Sequence, residues 1–194
     1  MSRLGPIAPE DMSDEQRVVF DGITGGDRQK GSDPSEFLND EGALRGPFNA
    51  MLRSPELGDI TQEMGACVRY RTIIPGPLRE LAILVCGRHW RANYEWYAHA
   101  KIARREGLSD DVINGIMDEQ EPSDPDHKTV YQFAYKLNKT GRIDDELYAR
   151  THDLLGERGV FELTVLIGYY ATVSNILNVF QVPIPEGEPL PFPD

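Results

Sequence analysis

Basic residues, cysteines and long apolar runs are scarce in this sequence, and each scarcity removes a class of function. Acidic residues outnumber basic ones 32 to 20, giving a formal net charge of −12 over 194 residues. A surface of that sign repels phosphate backbones and anionic headgroups, which argues against nucleic-acid and membrane partners. No apolar run approaches the ~20 residues that cross a bilayer. The N-terminus MSRLGPIAPEDMSDEQ has no apolar core of a secretory signal, so the expected location is the cytoplasm. The two cysteines, Cys67 and Cys86, lie in helical-looking stretches far from any C-x-x-C spacing and are expected to be reduced core thiols. Zinc-binding spacings and Gly-rich phosphate loops are also missing. A small anionic substrate stays open, because a few arginines in a pocket can override the global sign.

What is present is helical periodicity, with no alternating strand run. Ser13 is placed to cap a first helix bearing Val18, Val19 and Phe20. The following stretch, GITGGDRQKGSDPSEFLNDEGALRGP, is rich in Gly, Asp and Pro and reads as a long loop, a kind that is often mobile or functional. Pro47 to Leu52 reads as a short helix. Ser54-Pro55 supplies a cap and first-turn proline for a helix to about Arg71. After Pro75-Gly76-Pro77 a helix begins near Leu78, and Asn93 is placed to cap its successor, which Gly107 closes. Ser109 caps a short helix ending near Met117. Further helices are expected over 128–139, 144–155 and 160–180, before the proline-rich tail PIPEGEPLPFPD, expected to lie extended along a surface or a neighbouring subunit. This gives three segments, 1–45, 46–120 and 121–194, within one compact all-α bundle of about eight helices.

The chain also echoes itself. Glu80-Leu-Ala-Ile-Leu-Val aligns without gaps on Glu162-Leu-Thr-Val-Leu-Ile, and the same offset sets Asn93 on Asn175. Glu95 and His99 then fall against Leu177 and Gln181. Two related halves would leave the polar machinery in the first alone.

That machinery is compact in sequence. Glu95 and His99 are four apart in a helix and so share a face, flanked by Tyr94, Trp96 and Tyr97. A carboxylate beside an imidazole favours its protonated, proton-donating form. An exposed i,i+4 pair would contribute only a few tenths of a kcal/mol, but Glu80 changes the weighing. It sits amid Leu78, Leu81, Ile83, Leu84 and Val85, where an unpartnered carboxylate is costly to bury. Arg79, Arg88 and His99 are its candidate partners, and Arg91 is about three turns further along the same face. A helical hairpin with these groups inward would form a charged pocket.

The run PLRELAILVCGRHWRANYEWYAHAKIARREGLSDDVINGI, with R-E-x2-I-L, Y-E-W-x2-H-x3-A and G-L-S, resembles the core of the carboxymuconolactone decarboxylase family. The likeness covers roughly 43–118, and the second half is similar to longer members more loosely. The resemblance implies an alkylhydroperoxidase D-like helical fold and a homo-oligomer, a dimer, trimer or hexamer. Its redox branch carries E-x11-C-x2-C-x3-H. On this chain the Glu falls on Glu80, the His on His99, and the two thiols on Ala92 and Glu95. Thiol peroxidase chemistry needs a nucleophilic and a resolving cysteine, so that alternative is disfavoured.

The decarboxylase branch is similar to this chain in having Glu and His four apart. It implies loss of CO2 from a small carboxylated, unsaturated lactone of aromatic-compound breakdown, with no metal or organic cofactor. His99 would be the general acid, Glu95 would orient it, and Glu80 would complete the relay. Arg79, Arg88 or Arg91 would hold the anionic substrate, in a wall that includes Tyr94 and Trp96. The chain departs from that branch in its long N-terminal segment, its second half and Glu80, where a small or hydroxyl residue is expected. Isomerisation or hydrolysis through the same pair fits the residues equally, and a non-catalytic helical binding or assembly module is the remaining alternative.

Overall fold

The computed structural model describes residues 2–30 and 33–193. Residues 31 and 32 of the expected loop, and Asp194 of the tail, lie outside them. Among the described residues there are eight α-helices and no strand, with one isolated bridge between Leu38 and Leu44. The chain divides into two compact units, Met1–Arg71 with Ile176–Pro183, and Thr72–Asn175 with Ile184–Asp194.

In the first unit, α1 (Asp14–Gly25) starts at a reciprocal capping box between Ser13 and Gln16, which satisfies two helix-end donors at once. It packs on α3 (Pro55–Tyr70), which α2 (Pro47–Met51) precedes. Gly58 of α3 admits no side chain, because a Cβ there would stand 2.1 Å from the Met51 carbonyl oxygen. Ser54 precedes α3 but makes no side-chain cap bond.

The stretch expected as one long loop is shorter, and its described residues carry more local structure, than its composition suggests. α1 runs to Gly25, and 3-10 turns form at Asp27–Lys30 and Pro34–Glu36. Phe37 and Leu44 enter a core with Val19, Ile23, Met51 and Leu52. Buried Arg28 donates to the Gln62 side chain and carbonyl, at 3.0 and 2.7 Å, and lies over Phe48. Desolvating a guanidinium demands such partners, and here they fasten the stretch to α3.

The second unit is built around α4 (Gly76–His89), nearly every residue of which from Leu78 to Gly87 is buried. Helix α5 (Asn93–Arg105), α6 (Asp110–Met117) and α7 (Pro125–Thr140) pack on it. Ser109 caps α6, Asp124 caps α7, and left-handed Gly141 closes α7. The last two expected helices follow as α8 (Asp145–Val179), two helical stretches joined across a kink at Gly156, whose φ of 70° and ψ of 174° are not helical. By length and composition α8 could cross a bilayer, with a mean hydropathy of 1.4 over 18 residues, although half of that window is buried within the protein. Apolar residues interspersed with single polar ones reach that average without an unbroken run. Asn175, the echo of Asn93, is an exposed residue well inside the second stretch of α8, and Glu162, the echo of Glu80, pairs with Arg158 at 2.8 Å.

Candidate functional site

Helices α4 and α5 are joined by only Trp90, Arg91 and Ala92, so side chains on their facing sides are brought together by local geometry. Glu80 projects from α4 with no exposed surface. Glu95 and His99 lie on the inner face of α5, 3% and 7% exposed. The imidazole stands between the carboxylates: Nδ1 is 2.6 Å from Glu80 Oε2, and Nε2 is 3.2 Å from Glu95 Oε1. Arg79 extends the row, its Nε 3.4 Å from Glu80 Oε1 and its Nη2 3.5 Å from Glu106 Oε1. Burying such groups costs several kcal/mol each unless they neutralise one another. Two buried carboxylates, the imidazole and the Arg79 guanidinium thus each lie within ion-pairing distance of a neighbour in the row. Glu95 also lies in the first turn of α5, where the helix dipole favours negative charge.

The Tyr170 ring from α8 meets the imidazole edge-to-face at 5.0 Å, and Tyr169 meets Tyr170 in the same manner at 5.2 Å. These contacts confine the imidazole plane. Sequence reasoning missed Tyr170; its one signal is a pair of polar-tipped aromatics in an otherwise aliphatic run.

The other expected site residues separate into groups. Arg79 joins the carboxylate–imidazole row. Arg88 instead donates to the Met117 carbonyl at 2.7 Å and pairs with Glu119 at 3.1 Å. Arg91 donates to the Pro193 carbonyl at 2.7 Å. Trp96 packs edge-on against Phe192, and Tyr94, largely buried, lies 6.4 Å from the Tyr97 ring. Asn93 is the first residue of α5 rather than its cap, and its amide bonds the Phe192 backbone. The proline-rich tail therefore lies on its own chain.

The cysteines differ. Cys67 is exposed, contrary to expectation, because it falls on the outer side of α3. Cys86 is buried in α4, and burial pushes its thiol up to about 12, despite a hydrogen bond from Asn138 and with the Glu95 carboxylate adding to the rise. It is a protonated core thiol. At the positions where the resemblance sets redox thiols stand buried Ala92 and the row's own Glu95. Among the described residues no set of His, Cys, Asp and Glu converges as a metal-binding cluster. The arrangement can hold, orient and pass a proton.

No protein-family model and no curated protein matches the chain. Solved structures do. The debrominase Bmp8, as its C82A variant in complex with 2,3,4-tribromopyrrole, superposes with a TM-score of 0.71 at 15% identity, over 96% of this chain and 95% of that one. Its apo form gives 0.69 at 14% identity, over 93% and 91%. At such identities the likeness establishes a shared all-helical fold across nearly the whole chain.

Proposed function

We propose that this chain is a cofactor-free acid–base enzyme of the carboxymuconolactone decarboxylase type, removing CO2 from a small carboxylated, lactone-like substrate. The observation that carries the proposal is a buried imidazole with a carboxylate at each ring nitrogen. Nδ1 is held close by Glu80, which fixes ring orientation. The longer Nε2–Glu95 spacing is the end from which a proton leaves. Arg79, beside the row, is the guanidinium placed to meet an anionic substrate. In the reaction the bond between the substrate carboxylate and its α-carbon breaks. Its electron pair moves into the conjugated lactone carbonyl, CO2 departs, and the dienolate carbon takes the proton delivered through His99 and Glu95. Water restores that proton to the row. Proton delivery of this kind contributes about 10²–10⁴-fold.

The test is a panel of lactones and β-keto or unsaturated carboxylic acids, assayed for CO2 release with wild type and His99→Ala. Release by wild type and its loss in the variant is the expected result. Equal release by both removes His99 from the mechanism, and no release across the panel removes decarboxylation. Likeness to a debrominase justifies adding brominated pyrroles together with an added thiol reductant, because exchanging C–Br for C–H with release of bromide consumes two electrons as well as the proton that the row could donate; bromide release instead of CO2 would redirect the assignment.

A further inference from the structure

The C-terminal segment is held by more specific contacts than a packing tail requires. After Val179 the chain turns at Pro185–Glu188, with Gly187 at φ 87°, and returns to α5. Glu188 pairs with Lys101 at 3.0 Å. Phe192 is 5% exposed, edge-on to Trp96 at 5.6 Å, and the Arg88 and Arg91 guanidinium groups each lie 5.9 Å from its ring centre. Asn93 accepts from the Phe192 N–H at 2.8 Å and donates to its carbonyl at 3.4 Å, so one side-chain amide engages both backbone groups of one residue.

The Phe192 and Pro193 contacts fall on the outer side of the α4–α5 corner and the first two turns of α5, with the Glu188–Lys101 pair in the turn beyond. Glu95 and His99 occupy the inner side of those same turns. The corner carries backbone strain, because Arg91 is a non-glycine residue at φ 49°, and such strain persists only where surroundings over-determine it. Glu80 belongs to α4 and His99 to α5, so their 2.6 Å contact depends on how this corner sets one helix against the other.

From this we infer that Phe192 and Pro193 form a clasp which, through Arg91, Asn93 and Trp96, positions α5 so that His99 sits between Glu80 and Glu95. Phe192 is a positioning residue, and the inference rests on reading that row as a proton relay. A relay displaced by about 1 Å loses on the order of 10²-fold in rate.

The experiment compares full-length wild type, Phe192→Ala, Phe192→Tyr and Asn93→Ala, each labelled with ¹⁵N-histidine, by the ring-nitrogen shifts of His99 at pH 7. Signals from His127 and His152 serve as internal controls, and His99→Gln identifies the His99 peaks. The expected result is displaced His99 signals in Phe192→Ala with both controls fixed and helical circular dichroism intact, and recovery in Phe192→Tyr, which keeps the ring. Superimposable His99 signals in wild type and Phe192→Ala overturn the clasp. Should Phe192→Ala lose its helical signal, Asn93→Ala, which deletes only the two hydrogen bonds, decides by the same displacement or its absence. These shifts need no substrate, so they report the clasp even if decarboxylation fails. If wild type does release CO2, Phe192→Ala should lower kcat about 100-fold with little change in KM.

Discussion

At the scale of residues, the decisive property is that charges which could not be buried singly are buried as a set. Removing one member leaves the others unpaired inside the protein, at a cost of about 3–5 kcal/mol, whereas replacing a pair by apolar side chains is often neutral. Glu80→Leu and His99→Leu should each destabilise strongly, and the double variant should be more stable than their sum, as read from urea unfolding midpoints. Strict additivity would mean that the 2.6 Å contact carries no coupling. The cysteines give a second expectation. With the Cys86 thiol pushed up to about 12 by burial, iodoacetamide at pH 8 should modify Cys67 alone in the native protein, and both cysteines in denaturant. Rapid native modification of Cys86 would reopen thiol chemistry at this site.

At the scale of elements, local signals were legible where the partner is local. Ser13 and Ser109 mark helix starts because a cap bonds a backbone N–H two or three residues on; Asp124 caps α7 in the same way, so that helix begins at Pro125, ahead of the expected 128. Glu95 and His99 were legible because one helical turn separates them, and Glu80 because a carboxylate in an apolar run demands partners. Asn93 looks the same as a cap in sequence, yet its amide serves Phe192, whose place no local pattern encodes. The same holds for Arg88 and Arg91, drawn away from the row by Met117 and Pro193. Tyr170 reaches His99 from α8, a long-range contact of the same kind. Asp124 supplies the pH prediction for this scale. The His127 and Asp126 N–H groups hold its carboxyl below the ordinary carboxylate range, the His127 bond being the larger cause. A depressed value means that the cap's contribution is complete above the unfolded-state value, near 3.9, and fades as pH falls through the lower folded one. Asp124→Ala should therefore melt below wild type at pH 7 and at pH 5, and the gap should close below about pH 4. A gap that persists at pH 2 would show that Asp124 acts through something other than its charge.

For the whole molecule, the excess of acid is the property that no single contact reveals. With 32 acidic and 20 basic side chains, the folded chain concentrates a net −12 into a small volume, and self-repulsion opposes compaction. Added salt acts on this in two directions. It weakens solvent-facing attractive pairs such as Arg71 with Asp27 and Glu63, Lys128 with Glu121 and Arg104 with Asp110; pairs of this kind contribute little to stability. It also screens the longer-range repulsion among the unpaired acids, and the Debye length falls from about 30 Å at 0.01 M to about 3 Å at 1 M. Short pairs survive screening better than repulsions summed across the surface, so the repulsive part should dominate the response. Tm should rise as sodium chloride increases from about 0.01 M to about 0.5 M, measured by differential scanning calorimetry at pH 7. The Glu80–His99–Glu95 row, buried out of reach of counterions, should contribute little to that rise, so His99→Leu should show the same slope from a lower starting Tm. A falling Tm would mean that surface pairing outweighs the net charge, and a changed slope in His99→Leu would mean that the row is reached by solvent ions.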